Sequence, residues 1–211
     1  MIDRVRGLYG MVDLGRAAAG ARALASALLD GGATILQVRM KEAGARELLA
    51  VVEELLPIAR ARGAALIVND RLDVALAAGA DGVHLGQDDL PLAAARAIAD
   101  GARRPFLIGV STHDEAQARA AADGGADYLG FGPVFPTVTK ANPDPVVGVA
   151  RLARVCATVG KPIVAIGGIA LDRACEVARA GAAAAALIAA VNRAPDVAAA
   201  ARSVTEAFAA T

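Results

Sequence analysis

The chain has no tryptophan, and aromatic residues make up only 3% of its 211 positions. Its interior must therefore be filled by Ala, Leu, Val and Ile rather than by stacked rings. Cysteine is scarce: Cys156 and Cys175 lie in helix-like stretches without CxxC spacing. They read as buried structural thiols, which sets aside a zinc site or a redox pair. His84 and His113 are the only histidines, too few for a histidine-rich metal centre. Net charge is absent as well, because 22 basic and 22 acidic residues cancel. That argues against nucleic acid or a polybasic membrane surface as partner, since both roles need a positive excess. The longest uncharged apolar run, "GAAAAALIAAV" (181–191), is too short to span a bilayer. The opening "MIDRVRGLYG" lacks the apolar core of a signal peptide. A soluble cytoplasmic protein is the expectation. Lysine is the rarer cation, present only as Lys41, Lys140 and Lys161, and Lys41 and Lys140 close segments where a compact ammonium is wanted.

What is present is a hydrophobic fraction of 56%, enough for a large core. Short apolar runs alternate with longer amphipathic stretches. The predicted strands are "LYGMV" (8–12), "ILQVRM" (35–40), "ALIVN" (65–69), "GVHL" (82–85), "FLIGV" (106–110), "YLGFG" (128–132), "IVAIG" (163–167) and "AAALI" (184–188). Helical spacing occupies the segments between them, for example 48–61, 92–100, 114–124 and 173–181. Such alternation predicts parallel βαβ units. Eight of them close best as an α/β (β/α)8 TIM barrel, a single domain over residues 1–211. An open doubly wound sheet is the alternative, but no GxGxxG follows the first strand. Gly-Ala recurs at 32–33, 79–80, 125–126 and 181–182, each time before an even-numbered strand. The glycine suits a helix C′ position with positive φ.

In barrels, function collects where strands end and βα loops begin. In "LQVRMK", Gln37, Arg39 and Lys41 share one strand face, while Leu36, Val38 and Met40 share the other. The first set points into the barrel mouth, where an unpaired Arg is costly. A pyrophosphate would satisfy both cations; an internal ion pair with Asp or Glu is the alternative. Asn69-Asp70 ends the third strand and Asp89 follows the fourth. Asp70 and Asp89 from adjacent strands suit Mg²⁺, which keeps waters and bridges phosphate oxygens. The competing reading makes "NDR" and "QDDLP" helix N-caps, with Pro91 at the first helical position. Asp88 is expected to be capping or solvated.

Thr112-x-x-Glu115 predicts a capping box, which leaves Ser111 free to meet a ligand. His113 reads as a surface helix residue, and His84 as an inward-pointing core or supporting histidine. Gly167-Gly168 after the seventh strand lets backbone N–H groups approach a phosphate, and the loop after strand eight adds the amides of Ile188 and Ala189. "FGPVFPTVTK" (131–140) breaks regular structure with prolines and carries hydroxyls and a lysine.

Together these motifs resemble the thiamine-phosphate synthase family over nearly the whole chain. The resemblance rests on "QVRMK", "NDR", "ADGVHLGQDDL", "GVSTH", "GADYLGFGPVFPTVTK" and "AIGGI", in that order and spacing. It implies a TIM barrel that joins 4-amino-5-hydroxymethyl-2-methylpyrimidine diphosphate to 4-methyl-5-(2-hydroxyethyl)thiazole phosphate or its 2-carboxy form. The products are thiamine phosphate and pyrophosphate. By the same resemblance Gln37, Arg39, Lys41, Asn69, Ser111 and Lys140 hold the pyrimidine diphosphate, within a binding segment that includes Val38 and Met40. Arg39, Lys41, Ser111 and Lys140 carry the catalytic role, and Asp70 and Asp89 bind Mg²⁺. Thr137, Val138 and Thr139 meet the thiazole phosphate, with Gly168, Ile188 and Ala189 supplying amides. Lys140 turns toward the diphosphate. The chain departs from the family pattern at Val12, usually threonine, at Met40, usually acidic, and at Ala189, usually serine. The last removes a hydroxyl contact worth about 1 kcal/mol. A thiazole tautomerase-like isomerase would not need this whole diphosphate and metal set. A non-catalytic phospho-ligand-binding barrel is the rival from another class. The partners expected are small molecules, and a homo-oligomer is compatible with the reading.

Overall fold

Period-two alternation sorts the strand side chains onto two faces, and the two faces build two separate cores. The computed structural model describes residues 1–15, 20–137 and 144–211. Its strands are β1 (Gly7–Asp13), β2 (Ile35–Arg39), β3 (Ala65–Asn69), β4 (Gly82–Leu85), β5 (Leu107–Thr112), β6 (Tyr128–Phe131), β7 (Ile163–Ile166) and β8 (Ala184–Ala186). All pair in parallel, and β8 closes on β1 to complete a barrel. The helices are α1 (Ala21–Asp30), α2 (Ala45–Ala61), α3 (Leu72–Ala77), α4 (Leu92–Gly101), α5 (Glu115–Asp123), α6 (Gly148–Thr158), α7 (Ala174–Arg179), α8 (Ile188–Asn192) and α9 (Val197–Ala209). The predicted (β/α)8 barrel is the fold observed.

Leu8, Val12, Leu36, Val38, Leu66, Val68, Val83, Ile108 and Leu129 point outward and pack under the helices. Each such side chain, fully buried, contributes roughly 1.5–3 kcal/mol. Tyr9, Met11, Ile35, Ala65, Ile67, Leu107, Tyr128, Val164 and Ala184 point inward and fill the barrel. Ile2 and Val5 join this inner cluster, so the short 3-10 turn Ile2–Arg4 plugs the bottom. Thr34 Oγ1 donates to the Arg4 carbonyl and ties the plug to the chain before β2. The site is thereby left at the opposite, C-terminal end of the strands.

Gly32, Gly79, Gly125 and Gly181 all have positive φ, as the Gly-Ala repeat predicts. Local starts differ from the sequence reading. Thr112 is not a capping residue: β5 runs two residues further than predicted, and the buried Thr112 hydroxyl donates to Gly130 O. Asp114 caps α5 instead, accepting from Gln117 N–H at 2.8 Å, while Gln117 Oε1 accepts from His113 N–H. Pro91 occupies the N-cap of α4 rather than its first helical position, and α3 begins after Arg71. Neither helix has a side-chain cap, so neither Asp70 nor Asp89 is held in that role.

Candidate active site

At the C-terminal end of the barrel the strands open into a cavity of about 690 Å³, within the range of small-molecule sites. Of the residues singled out from sequence, Gln37, Arg39, Lys41, Asn69, Asp70, Asp89, Ser111, Thr137, Gly168, Ile188 and Ala189 all line it. Val38 and Met40 do not. Strand alternation turns Val38 outward, and both are buried in the layer between sheet and helices. Val138, Thr139 and Lys140 lie outside the described residues.

Arg39 at the end of β2 and Lys41 just beyond it are both paired. Arg39 Nη1 donates to Asp13 Oδ2 at 2.9 Å, and Lys41 Nζ lies 3.9 Å from Asp70 Oδ2. The ion-pair alternative is therefore realised, yet it does not close the site. Asp13 takes one of the five N–H groups of Arg39, and the Lys41 side chain is 56% exposed.

Asp70 leaves β3 with φ of 61°, a left-handed conformation unusual for a non-glycine residue. Its N–H donates to His84 O, and Arg71 N–H donates to Asn69 O. These bonds lock a turn that swings the carboxyl toward β4. There Asp89 Oδ2 accepts from Gly86 N–H at 2.6 Å and closes the turn after β4. Burial, followed by the adjacent Asp89 carboxyl, raises the Asp70 carboxyl to about 6. Lys41 and Arg39 oppose that rise without cancelling it. Two neighbouring carboxyls short of positive charge are a donor pair that a hard cation would complete. Among the described residues no cluster of three or more His, Cys, Asp or Glu is present. Two carboxylates with waters and phosphate oxygens suit Mg²⁺ better than an all-protein cage would.

The opposite wall is backbone. Gly167 and Gly168 have φ of 85° and 67°. A Cβ on Gly168 would lie 2.3 Å from Pro136 O and 2.5 Å from Phe135 O. Phe135 N–H donates to Gly167 O and Val134 N–H to Ile166 O, so the segment after β6 is laced to the end of β7. Ile188 begins α8 beside this wall.

Sequence reasoning missed three features. His113 is not a surface helix residue: it precedes α5 and lines the cavity. Its Nδ1–H donates to Gly132 O at 2.6 Å, and Nε2 lies 3.4 Å from Asp144 Oδ2. Asp13 is the partner of Arg39; its position beside β2 was the available signal. Finally, Tyr9, Tyr128 and His84 connect Gln37 to Ser111 through the barrel interior. The distances are 2.9 Å for Gln37–Tyr9, 2.7 Å for Tyr9–Tyr128, 3.2 Å for Tyr128–His84 and 2.9 Å for His84–Ser111. Burial raises both phenols above their ordinary range and lowers His84 to about 4, so all three are neutral.

Residues 8–191 match the family model described as thiamine monophosphate synthase. The thiamine-phosphate synthase of Methanospirillum hungatei JF-1 is 52% identical over 179 residues, 85% of each chain. That of Chlorobium phaeovibrioides is 51% identical over 166 residues, covering 79% of this chain and 78% of the relative. The solved thiamine phosphate pyrophosphorylase of Pyrococcus furiosus superposes with a TM-score of 0.88 at 36% identity, covering 100% of this chain and 98% of that one. A 3-hexulose-6-phosphate synthase, at 20% identity and a TM-score of 0.74, shares the fold alone. No helix among the described residues is long and apolar enough to cross a membrane. By its motifs, its barrel and its relatives, the chain belongs to the thiamine-phosphate synthase family, transferases of thiamine biosynthesis.

Proposed function

We propose that this cavity joins 4-amino-5-hydroxymethyl-2-methylpyrimidine diphosphate to 4-methyl-5-(2-hydroxyethyl)thiazole phosphate, releasing thiamine phosphate and pyrophosphate. One observation carries the reading: a single cavity has a charged pole and a backbone-amide pole. Gln37, Arg39, Lys41, Asn69, Asp70, Asp89 and Ser111 line the first, while Gly168, Ile188 and Ala189 line the second. The charged pole takes the diphosphate and the amide pole takes the thiazole phosphate. The reacting carbon and nitrogen are thereby held between two anchored groups.

In the reaction the bond from the pyrimidine methylene carbon to the diphosphate oxygen breaks, and its electron pair leaves with the diphosphate. The thiazole nitrogen then gives its lone pair to that carbon. Arg39 and Lys41 stabilise the charge that develops on the leaving oxygens, and Lys140, carried over from the family resemblance, would add a third cation. Ser111 donates to the pyrimidine diphosphate. Asp70 and Asp89 would hold Mg²⁺, which when bound neutralises diphosphate charge and improves the leaving group. The nucleophilic nitrogen carries its own lone pair, so no side chain need act as a general base. Ala189 supplies an amide without the hydroxyl usual in the family.

The test incubates the purified chain with both substrates and Mg²⁺ and follows thiamine phosphate and pyrophosphate. Equal amounts of the two products are expected. Tight binding of both substrates without turnover would replace this reading with a non-catalytic phospho-ligand-binding barrel.

A further inference from the structure

We infer that Gln37, Tyr9, Tyr128 and His84 form a one-way hydrogen-bond chain that fixes Ser111 as a donor to the ligand, which makes Tyr9, Tyr128 and His84 positioning residues. The inference rests on the proposed reading that Ser111 meets the diphosphate substrate.

The chain has two self-consistent directions. In the first, Gln37 Nε2–H donates to Tyr9, Tyr9 to Tyr128, Tyr128 to His84 Nδ1, and His84 Nε2–H to Ser111 Oγ. The Ser111 proton then has only the cavity to face. In the second, Gln37 is turned over and accepts from Tyr9, and every proton points away from the cavity. Ser111 then donates inward to His84 and offers a ligand only lone pairs. The Gln37 amide turns its Nε2 toward Tyr9 Oη at 2.9 Å, the orientation of the first direction. A neutral imidazole has a single N–H, so the donor received at Nδ1 dictates that Nε2 carries the proton. An anionic ligand above Ser111 favours the same direction, because it needs donors.

The chain is built in rather than incidental. A Cβ on Gly109 would lie 2.1 Å from Tyr128 Cζ and 2.5 Å from His84 Nδ1, and one on Gly130 would lie 3.3 Å from His84 Cε1. Glycines at these inward positions of β5 and β6 make the slot that holds both rings. The Tyr9, Tyr128 and His84 ring centroids lie 5.5–6.4 Å apart, buried among aliphatic side chains. Away from the cavity, the relay atoms hydrogen-bond to one another among the described residues.

Nitrogen-15 NMR of the imidazole rings in the full chain decides the direction without any variant. The signals are assigned with His84→Gln, which leaves only His113. An Nε2–H tautomer at His84 is expected, and an Nδ1–H tautomer overturns the inference. Tyr128→Phe removes the donor to Nδ1 and should release His84 from a fixed tautomer, so that Nε2–H is no longer the sole form. Tyr9→Phe leaves that donor in place and should retain Nε2–H. Tyr128→Phe and Ser111→Ala should each lower kcat/KM roughly tenfold, the scale of one buried hydrogen bond. The double variant should be no slower than Ser111→Ala. If Tyr128→Phe slows the Ser111→Ala enzyme by the same factor, its effect does not pass through Ser111 and the positioning role is wrong. A Ser111→Ala enzyme with wild-type kcat/KM instead refutes the substrate contact at Ser111, while the spectrum still decides the direction of the chain.

Discussion

Asp13 and Arg39 stand opposite each other in the β1–β2 register, and the guanidinium donates across that pair to Asp13 Oδ2 at 2.9 Å. The carboxylate aims the arginine before any ligand arrives, which lowers the entropy lost on binding. Arg39→Ala should cost about 3 kcal/mol or more of transition-state stabilisation, the scale of a lost oxyanion donor. Lys140→Ala should cost a similar amount. Asp13→Asn should cost less, about 1 kcal/mol, because the guanidinium survives but loses its charged anchor. Steady-state kinetics with both substrates measures all three. A near-normal kcat/KM in Arg39→Ala would remove the diphosphate from this pole.

Burial and the neighbouring Asp89 carboxyl raise the Asp70 carboxyl to about 6, and Asp70 is one of the two groups proposed for Mg²⁺. Asp70→Ala should abolish the Mg²⁺ dependence of turnover and at least tenfold of Mg²⁺ affinity, measured by calorimetry in the presence of pyrophosphate. The far-ultraviolet spectrum should be unchanged, since Asp70 caps no helix. An unaltered Mg²⁺ titration would reassign Asp70 to shaping the turn after β3.

His84 gives the fold a pH dependence of definite sign. Burial lowers its folded value from 6.5 to about 4, so below pH 6.5 the unfolded chain binds a proton that the folded chain refuses. The corresponding stability is fully present above pH 6.5 and is lost as pH falls toward 4. A depression of this size is worth about 3 kcal/mol. Urea unfolding at pH 7 and pH 4.5 should show wild type losing more stability than His84→Gln. Equal losses would mean that His84 titrates normally in the fold.

Gly168→Ala places a methyl against two carbonyl oxygens at a φ of 67°. The β7–α7 loop must move, and the amide at this position moves with it. KM for the thiazole phosphate should rise at least tenfold, while Kd for pyrophosphate at the other pole changes little. Equal weakening at both poles would show that the loop supports the whole cavity.

Gly109→Ala tests the slot rather than the site. The new Cβ meets Tyr128 and His84 well inside van der Waals contact. Overpacking of this kind costs typically 1–3 kcal/mol. A matching fall in the urea midpoint is expected, and an unchanged midpoint would mean that the rings have room to retreat.

The barrel was legible because its signals are local. Leu36 and Val38 against Gln37 and Arg39 give the period of two within a few residues. The Gly-Ala pairs mark helix ends by backbone chemistry alone. The cavity wall was legible for the same reason, since polar residues gather where strands stop. Ser111 and Thr112 were harder: two hydroxyl residues read as a loop, but pairing with Gly130 and Phe131 keeps them in β5. The interior relay could not be read from local pattern. Tyr9 and Tyr128 are 119 residues apart, and each sits in a strand that reads as ordinary apolar filling. The available clue was indirect: Gly109 and Gly130 at inward positions require something large nearby.

With no tryptophan and only two tyrosines in the chain, the barrel interior also governs how the protein looks to light. Both phenols belong to the relay beneath the cavity, and no other strong near-ultraviolet chromophore is present to mask them. Tyrosine absorbance and emission are therefore native, label-free reporters of one place. A ligand bound at Gln37 or Ser111, as proposed, would pull on a hydrogen-bonded pair of chromophores.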